Sequence, residues 1–442
     1  MTAKARGRDH STSTGQVEKA PESTTKFSDG ASDEFEFGGS LGVTALMLGF
    51  PLLMWYMWIG ATYYNGHLPL PDDNQTWREF VGHLLDLVYE GAYPTAKAWA
   101  IYWTFFVFEA IMYCYMPGVL TYGRPLLHEG GKKLPYYCSA YTSFYATLAV
   151  AAILHATRVF PLYTLIDEFG PIMTVAILSG FLNSLIVHVQ AIVRRRTHRL
   201  TGYPIYDFFM GAELNPRIGI LDFKMFYEVR IPWFILFLIT CSVAARQYET
   251  YGYVSAEVLF LAMAHFLYTN ACAKAEQLII TSWDMYFEKL GFMLTFWNMA
   301  GVPFTYCHCA LYFANHDPAE YRWNPYALTT LFVTYLFMYW ISHLGGRLVC
   351  DCSKAELCSR HVLLYVLGSD HRVQITEFAA SRSPFPWFYS IFFMVMIIHR
   401  TRRDIERCRR KYGEAWKRYE NEVPYLFIPR GFLYEEDAKV AK

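Results

Sequence analysis

Long apolar runs recur along the chain and alternate with short polar segments. The first begins at Gly42, and most approach the roughly twenty residues that a helix needs to cross a hydrocarbon core of about 30 Å. Eight spans are predicted, at Gly42–Tyr63, Ala98–Leu120, Cys138–Ala156, Phe169–Val193, Ile231–Ala245, Val254–Ala271, Leu290–Ala314 and Tyr326–Leu344. A shorter aromatic run at Pro384–Ile398 is a ninth. The predicted fold class is all-α, a polytopic transmembrane helical bundle of about nine visible spans.

The first 37 residues have a different composition. They are rich in Ser, Thr, Asp, Glu and Lys and hold almost no large apolar residue before Phe27. Because such a segment cannot bury enough apolar surface to fold alone, we expect residues 1–37 to form a disordered tail. They also lack the pattern of a cleaved signal peptide, so we expect the first span to act as the membrane signal and disulfides not to organise the fold.

The overall composition agrees with a membrane protein. Hydrophobic residues make up 54% of the chain and aromatic residues 18%, more aromatic than a soluble core normally needs. Lys plus Arg and Asp plus Glu number 39 each, so the formal charge is zero. A chain without net charge has no electrostatic basis for general nucleic-acid binding. The expected partner is the lipid bilayer, not nucleic acid.

Basic residues predict the topology. Lys132 and Lys133 follow the second span and Arg194–Arg199 follows the fourth, which places both segments and the N-terminus in the cytosol by the positive-inside rule. A ninth span would then carry the basic run Arg400–Lys411 into the lumen, against that rule. Either one span is wrongly assigned, or the stretch from Ser342 to Ser383 contains an unrecognised crossing or has lost one.

Ionisable side chains at membrane depth are costly and are therefore functional candidates. Around the sixth and seventh spans these are His265, Tyr268, Lys274, Glu276, Asp284 and Glu288. Lys274 and Glu288 also fit ordinary solvated charges in an interfacial loop. Tyr268 and Glu276 are eight residues apart and would lie near one face if the helix continued between them.

Two long strings look like signature stretches of the membrane sterol reductase family. They are GYPIYDFFMGAELNPRIG (202–219) and IIHRTRRDIERCRRKYGEAWKRYENEVPYLFIP (397–429). Three further segments resemble the branch that reduces the sterol side chain at C-24(28) more than the C-14 reductase branch. They are FKMFYEVRIPW (223–233), AHFLYTNACAKAE (264–276) and GFMLTFWNMAGVPFTYCHC (291–309).

The resemblance implies a function. Members of this family are endoplasmic-reticulum proteins of about ten helices, and this branch uses NADPH to reduce the C-24(28) methylene bond of an ergosta-tetraenol-type sterol. This is the last step of ergosterol biosynthesis, which makes other enzymes of that pathway possible partners. An isolated C=C bond is a poor hydride acceptor, so an acid shielded from water must protonate it before or during hydride transfer.

The resemblance also implies roles for residues. Tyr268 matches the position of the proton-donating tyrosine, with Glu276 and Asp284 in the acidic stretch behind it.

The cofactor side is implied in the C-terminal string. Arg400, Asp404, Lys411 and Tyr412 are implied to line the NADPH pocket, where cations suit phosphates. The alternative interpretation is a juxtamembrane basic helix that binds anionic lipid head groups. No G-x-G-x-x-G follows a strand, so a Rossmann domain is not the expected binder.

Other polar residues are expected to be structural. Asp207, Asn215 and Arg217 are expected to cap and pin a helix entry, with support of the cofactor or substrate as the second interpretation. His265 and His308 are expected to be packed or hydrogen-bonded. No metal site is expected. Cys307, His308 and Cys309 resemble metal ligands, but the family resemblance explains this run without a metal. The spacing of Cys350, Cys352 and Cys358, with His361 close by, matches zinc ligands weakly.

The resemblance covers residues 35–341 and 383–429 and fails between them. The family carries parts of its NADPH pocket there, and this replacement is too short by about one helix. We hypothesise that residues 342–382 derive from a shifted reading frame or an altered splice. The expected organisation is a tail (1–37), a transmembrane reductase domain (38–400) and a cytosolic basic tail (401–442) that completes the cofactor pocket.

Two alternatives to an active reductase stay open. Loss of part of the pocket would leave a catalytically impaired sterol-binding membrane protein of the same fold. A small-molecule methyltransferase would also carry a basic C-terminal helix followed by KYG, although the first signature argues against it.

Overall fold

The computed structural model describes residues 35–126, 130–348 and 388–422. The chain divides into two compact units, Met1–Glu36 and Phe37–Lys442. Only the last two residues of the first unit are described, so the sequence-based expectation of a disordered tail lies almost wholly outside the described residues.

Helices follow the apolar runs of the sequence, and two short hairpins lie between them. The elements up to residue 193 are α1 (Gly39–Tyr63), α2 (Trp77–Gly91), α3 (Ala96–Tyr115), β1 (Val119–Tyr122), β2 (Pro135–Cys138), α4 (Ala140–Ala156), α5 (Thr164–Asp167) and α6 (Phe169–Val193). Those after it are α7 (Pro204–Met210), β3 (Arg217–Ile218), β4 (Leu221–Asp222), α8 (Phe223–Val229), α9 (Ile231–Tyr251), α10 (Ala256–Lys274), α11 (Glu276–Ile279), α12 (Trp283–Tyr286), α13 (Phe292–Phe296), α14 (Val302–Thr305), α15 (His308–Asn315), α16 (Pro325–Leu348), α17 (Phe388–Tyr412) and α18 (Glu414–Glu422).

Within the described residues, four helical stretches are long and apolar enough to cross a membrane. They are Glu36–Tyr63, Phe169–Val193, Phe223–Tyr251 and Ala256–Lys274. The helical class is confirmed, whereas the predicted count of about nine spans is not. Phe223–Tyr251 is the most enclosed of the four, since 67% of its apolar window is buried, compared with 22% for the first. The helix pair α8–α9 therefore lies at the centre of the bundle.

The predicted second span is too long. Helix α3 ends at Tyr115, and Val119–Tyr122 pairs antiparallel with Pro135–Cys138. Pro117 explains this end, because proline lacks an N–H donor and disfavours a helical conformation in the residue before it. The predicted third span likewise begins as strand β2, and its helix starts only at Ala140.

The predicted seventh span is not one continuous helix. It divides into α13, a π-helical turn at Trp297–Gly301, α14 and α15. The Trp297 ring lies over Gly301 so closely that an added Cβ would be 2.4 Å from a ring atom. The glycine therefore lets the ring fold back onto its own helix at the π-turn, the kind of local irregularity that is common at functional sites.

Stacked aromatic rings fill the space between α6 and α13. The centroids of Phe181 and Phe292 are 4.6 Å apart, and Phe292 stacks on Phe296 at 4.8 Å. Such pairs add to the stabilisation from apolar burial. Part of the high aromatic content thus serves the interior of the bundle and not only the membrane interface.

Loops and short elements gather at the two ends of the bundle. The α11 end holds β3, β4, α8, α11 and α12, where the carboxy-terminal ends of α3 and α10 meet the amino-terminal end of α4. The α2 end holds α2, α5 and the start of α6. Three exposed ion pairs lie at the α2 end, Lys97–Glu168, Arg158–Glu249 and Arg246–Asp167.

Candidate functional site

Tyr268 lies on α10 with its side chain almost hidden from solvent, at 8% exposure. Its ring packs edge-on against Trp233 of α9, with the two centroids 4.6 Å apart. The next residue, Thr269, donates a hydrogen bond to the Trp233 carbonyl at 3.3 Å. The phenol is therefore held against α9 in a site that excludes bulk water.

Glu276 does not continue the helix of Tyr268. Helix α10 ends at Lys274 and Glu276 begins α11, so the continuous helix that would place both on one face is not formed. Instead, Glu276 Oε1 pairs with the Arg230 guanidinium at 2.7 Å, and Oε2 accepts a hydrogen bond from the Ala140 amide at 2.7 Å. The amide belongs to the first turn of α4, whose dipole favours a negative charge there.

The Arg230 side chain is fully buried and has three kinds of partner. Besides Glu276, it donates to Ser139 Oγ at 3.0 Å, and its guanidinium carbon lies 4.3 Å from the centroid of the Tyr113 ring. Burial raises the pKa of the Glu276 carboxyl, while the Arg230 charge and the Ala140 amide oppose that rise. The pair thus ties α9, α11, α4 and α3 together at one point.

Asp284 is connected to the same region through its main-chain carbonyl. Its carbonyl accepts a hydrogen bond from Lys224 Nζ at 2.6 Å, and the Glu288 carbonyl accepts another from the same ammonium at 2.6 Å. Lys224 has no exposed surface. One buried cation therefore fixes the whole turn from Asp284 to Glu288, as a helix-terminal cation does when it satisfies free carbonyls.

A single segment, Phe223–Trp233, contacts all three residues that the resemblance implies for catalysis. Lys224 binds the Asp284 carbonyl, Arg230 pairs with Glu276, and Trp233 packs on Tyr268. In the sequence this segment is recognised only by its family resemblance. Lys224 and Arg230 among apolar neighbours are a further signal in it, since charges at membrane depth mark functional sites.

Another overlooked acid is Glu109 of α3, which is fully buried. It accepts a hydrogen bond from the hydroxyl of Thr147 on α4. Thr147 is buried as well. Glu109 lies one helical turn before Tyr113, the ring beneath Arg230. A further buried carboxyl group thus lies one turn of α3 away from the ring that contacts Arg230.

The first signature stretch makes structural contacts. Asp207 accepts hydrogen bonds from the Thr201 amide at 2.9 Å and the Gly202 amide at 3.0 Å, which closes the turn before α7. Asn215 donates to the Met285 carbonyl at 3.2 Å, and Arg217 pairs with buried Asp222 at 2.7 Å. These contacts agree with the capping and pinning role expected for the three residues.

Lys289 is a buried cation next to this stretch. Its ammonium donates to the Arg199 carbonyl at 2.9 Å, and the residue is only 8% exposed. Burial lowers the pKa of Lys289 to about 8, a shift that the charge of Asp207 opposes and that of Arg199 reinforces. The ammonium therefore gives up its proton far more readily than an exposed lysine.

The two histidines of interest are hydrogen-bonded, as the sequence analysis expects. His265 bonds to Thr240 Oγ1 at 2.6 Å and His308 to the Met57 carbonyl at 3.2 Å. Cys307 and Cys309 are buried. Across the ranges that the structure describes, no three His, Cys, Asp or Glu residues group as metal ligands would. Residues 350–361, with the other cysteine cluster, lie outside those ranges.

The residues implied for NADPH lie on α17. At about 100° per residue, positions 400, 404 and 411 follow one stripe of this helix. The side chains of Arg400, Asp404 and Lys411 lie outside the described residues. Tyr412 is half exposed, and its ring stacks on Trp416 with centroids 6.4 Å apart. Two cationic residue types on one stripe and a half-exposed aromatic ring fit a phosphate-bearing dinucleotide chemically.

The sequence is similar to those of known proteins over most of its length. The chain matches the model of the ergosterol biosynthesis ERG4/ERG24 family over residues 31–347 and 365–432. It is 54% identical to the Delta(24(24(1)))-sterol reductase of Gibberella zeae, over 90% of this chain and 73% of the relative. It is also 54% identical to Delta(24(24(1)))-sterol reductase erg4A of Aspergillus fumigatus, over 94% and 95%.

A more distant relative carries a different activity in its name. The Delta(14)-sterol reductase of Methylotuvimicrobium alcaliphilum is 30% identical over 91% of this chain and 97% of its own. Only residues 348–364 lie between the two matched ranges, so residues 342–347 and 365–382 of the expected departure are matched by the family model. A match over most of the chain, together with these identities, shows that the protein belongs to the ERG4/ERG24 family of sterol reductases.

Proposed function

We propose that the protein reduces the C-24(28) double bond of a sterol side chain with NADPH, as the last step of ergosterol biosynthesis. The two relatives at 54% identity are named for this activity, whereas the Delta(14)-sterol reductases match at about 30% or less. One structural observation carries the chemistry, namely a buried phenol, Tyr268, on a membrane-depth helix. We place the enzyme in the endoplasmic-reticulum membrane with both termini in the cytosol.

In this proposal Tyr268 is the proton donor. Its hydroxyl proton passes to the methylene carbon C-28, which leaves a tertiary cation at C-24. Bound NADPH supplies the hydride that completes the reduction. The buried setting keeps water from the cation, and proton transfer from a positioned acid contributes about 10²- to 10⁴-fold to the rate. The phenolate then regains a proton from solvent.

Glu276 and Asp284 support this chemistry from a distance in the proposal. Glu276 holds Arg230 at the start of α9, one turn before Trp233, against which Tyr268 packs. The Asp284 carbonyl receives Lys224 from the same segment. Both acids therefore act as positioning residues through the segment Phe223–Trp233.

The cofactor side of the proposal rests on α17. Arg400 and Lys411 are assigned to the phosphates of NADPH, and Tyr412 to stacking or hydrogen bonding at the ribose or nicotinamide. Asp404 on the same stripe is assigned to a hydroxyl of the cofactor. These assignments follow the family resemblance and the chemistry of the donors.

A second candidate function is a sterol-binding membrane protein of the same fold without turnover. The observation that favours it is the gap in the family match at residues 348–364. The resemblance implies that part of the cofactor pocket belongs in this stretch. Sterol binding would survive this loss if the α8–α10 region remains folded.

One experiment separates the two candidates. The chain is expressed in a fungal strain that lacks its C-24(28) reductase, and the sterols are measured by gas chromatography and mass spectrometry. Restored ergosterol supports the enzyme. Persistent 24(28)-methylene sterol, with the protein present in the membrane, supports the binding protein. Tyr268→Phe in the same strain tests the proton donor, with Tyr335→Phe as control, because Tyr335 also packs on α10 and donates to the Ala264 carbonyl.

A further inference from the structure

Helix α2 lies between α1 and α3 and is too short to span a membrane. Its fifteen residues extend about 22 Å, compared with a hydrocarbon core of about 30 Å. A capping box defines its start, since Thr76 Oγ1 accepts from the Glu79 amide and the Thr76 amide donates to Glu79 Oε2 at 2.9 Å. The local sequence therefore specifies a helix at this place independently of any span.

One face of α2 packs on the bundle. Phe80 is buried, and Leu84 and Leu87 are partly buried against the core. At the end of the helix Gly91 approaches α1 so closely that an added Cβ would lie 2.1 Å from Tyr63 Oη. The helix is thus fixed to the carboxy-terminal end of α1.

A second face carries large apolar side chains that remain exposed. Trp77, Val81, Leu85 and Tyr89 follow one another at intervals of four residues. They are 69%, 49%, 61% and 71% exposed, respectively. At about 100° per residue the four form one sector beside the packed face. We call these four residues the α2 stripe.

The third face of α2 is polar. Exposed Glu79, His83, Asp86 and Glu90 share a sector opposite the boundary between the packed face and the α2 stripe. A helix on a water-soluble protein needs only two faces, one packed and one polar. Three sectors in this order, protein, apolar and polar, fit a helix that meets protein, hydrocarbon and water at once.

We propose that α2 is an interfacial helix that inserts the α2 stripe into the lipid leaflet at the α2 end of the bundle. The site is continuous with the lipid-facing surface of α1, a candidate span that ends at Tyr63. Trp77 and Tyr89 begin and end the stripe, and these residue types favour the boundary between acyl chains and head groups. Exposed Arg78 lies in the same sector at the start of the helix, where a long stem can lie among apolar side chains while the guanidinium contacts lipid phosphates.

Photo-crosslinking tests the proposal on the full chain. p-Benzoylphenylalanine replaces Leu85 in one protein and the adjacent polar-face residue Asp86 in a matched control, each in phosphatidylcholine nanodiscs. After irradiation, mass spectrometry should find a lipid adduct in the protein with the probe at position 85. The yield of lipid adduct should be much lower in the protein with the probe at position 86. Equal adducts at both positions, or an adduct from position 85 to a second copy of the chain, overturns the proposal.

A second measurement needs no unnatural residue. The fluorescence of Trp77 is obtained by subtracting the emission spectrum of Trp77→Phe from that of the wild-type protein, both in bilayers. Phosphatidylcholine with brominated acyl chains should quench this difference emission, and aqueous iodide should leave it almost unchanged. Quenching by iodide without quenching by bromine would place the stripe in water and contradict an interfacial helix. Neither measurement depends on reductase activity.

Discussion

Arg230 and Glu276 form a buried ion pair across 46 residues of sequence, with a 2.7 Å contact and side chains that are 0% and 3% exposed. The carboxylate also receives the first-turn amide of α4, and the guanidinium also donates to Ser139. Each charge thus has hydrogen-bond partners in addition to its counterion, which a buried pair needs to offset the loss of water. This pair fixes where α9 begins and where the chain turns after α10.

Breaking this pair should destabilise the protein severely. Glu276→Ala leaves Arg230 as an uncompensated buried charge, so we expect a loss of about 3–5 kcal/mol in unfolding free energy. The melting temperature in detergent measures it. Lys97→Ala is the matched control, because Lys97–Glu168 has a similar 2.8 Å contact but a lysine that is 58% exposed. We expect about 0–1 kcal/mol there. Equal effects of the two variants would contradict a special role for the buried pair.

Tyr268→Phe should separate catalysis from folding. The variant keeps the ring that packs on Trp233 and removes only the hydroxyl, so the loss of stability should not exceed the contribution of one hydrogen bond, about 0.5–1.5 kcal/mol. Turnover of a 24(28)-methylene sterol should fall by about 10²- to 10⁴-fold. Tyr335→Phe removes another buried hydroxyl against the same helix and should lose about 0.5–1.5 kcal/mol of stability while turnover stays within severalfold. Turnover of Tyr268→Phe at the level of Tyr335→Phe would remove Tyr268 from the mechanism.

Lys289 should make stability depend on pH above 8. Its folded-state pKa is about 8 and its ordinary value is 10.5, so between these limits the unfolded chain binds the proton more tightly. Stability should therefore rise as the pH rises through this window, by roughly 3 kcal/mol when complete, and Lys289 should add no pH dependence below pH 7. The melting temperature from pH 7 to 10 measures this.

Lys289→Met is the control for that series, because it removes the titrating group at similar length. The difference between wild type and variant isolates Lys289 from other groups that titrate in this range. The stability of wild type relative to Lys289→Met should increase as the pH rises from 7 to 10. A constant difference from pH 7 to 10 would show that the buried ammonium does not titrate there.

Lys224→Met should loosen the turn from Asp284 to Glu288. The variant keeps most of the buried stem but leaves the Asp284 and Glu288 carbonyls without their shared donor. We expect faster hydrogen–deuterium exchange in residues 281–290 and little change in α6. Lys274→Met, at an exposed lysine, is the control. Unchanged exchange in residues 281–290 would mean that other contacts hold this turn.

The helical class and the positions of most helices follow from the apolar runs, because burial in lipid or protein requires long apolar stretches. Local chemistry shifts their ends. Pro117 ends α3 before the predicted Leu120, and the π-turn at Gly301 divides the predicted seventh span. The sequence contains both residues, but a count of apolar residues does not include their effects on the backbone.

The contacts of the site residues could not be predicted from the sequence. Tyr268 and Glu276 could be selected as ionisable groups at membrane depth, and family resemblance supported them. That α10 ends between them, and that Glu276 turns to Arg230, depends on packing between segments far apart in the chain. Lys224 and Arg230 could have been selected by the same rule of costly membrane charges, since both stand in an apolar segment.

Isotope transfer tests the central claim most directly, because it follows the proton and the hydride separately. The purified chain in nanodiscs is given a 24(28)-methylene sterol with NADPH deuterated at the transferred position, and in a second reaction with ordinary NADPH in D₂O. We predict a reduced side chain with deuterium at C-24 from the cofactor and at C-28 from the solvent. An unreduced sterol from a folded, sterol-binding protein, or deuterium at the reverse positions, would contradict the proposed reaction.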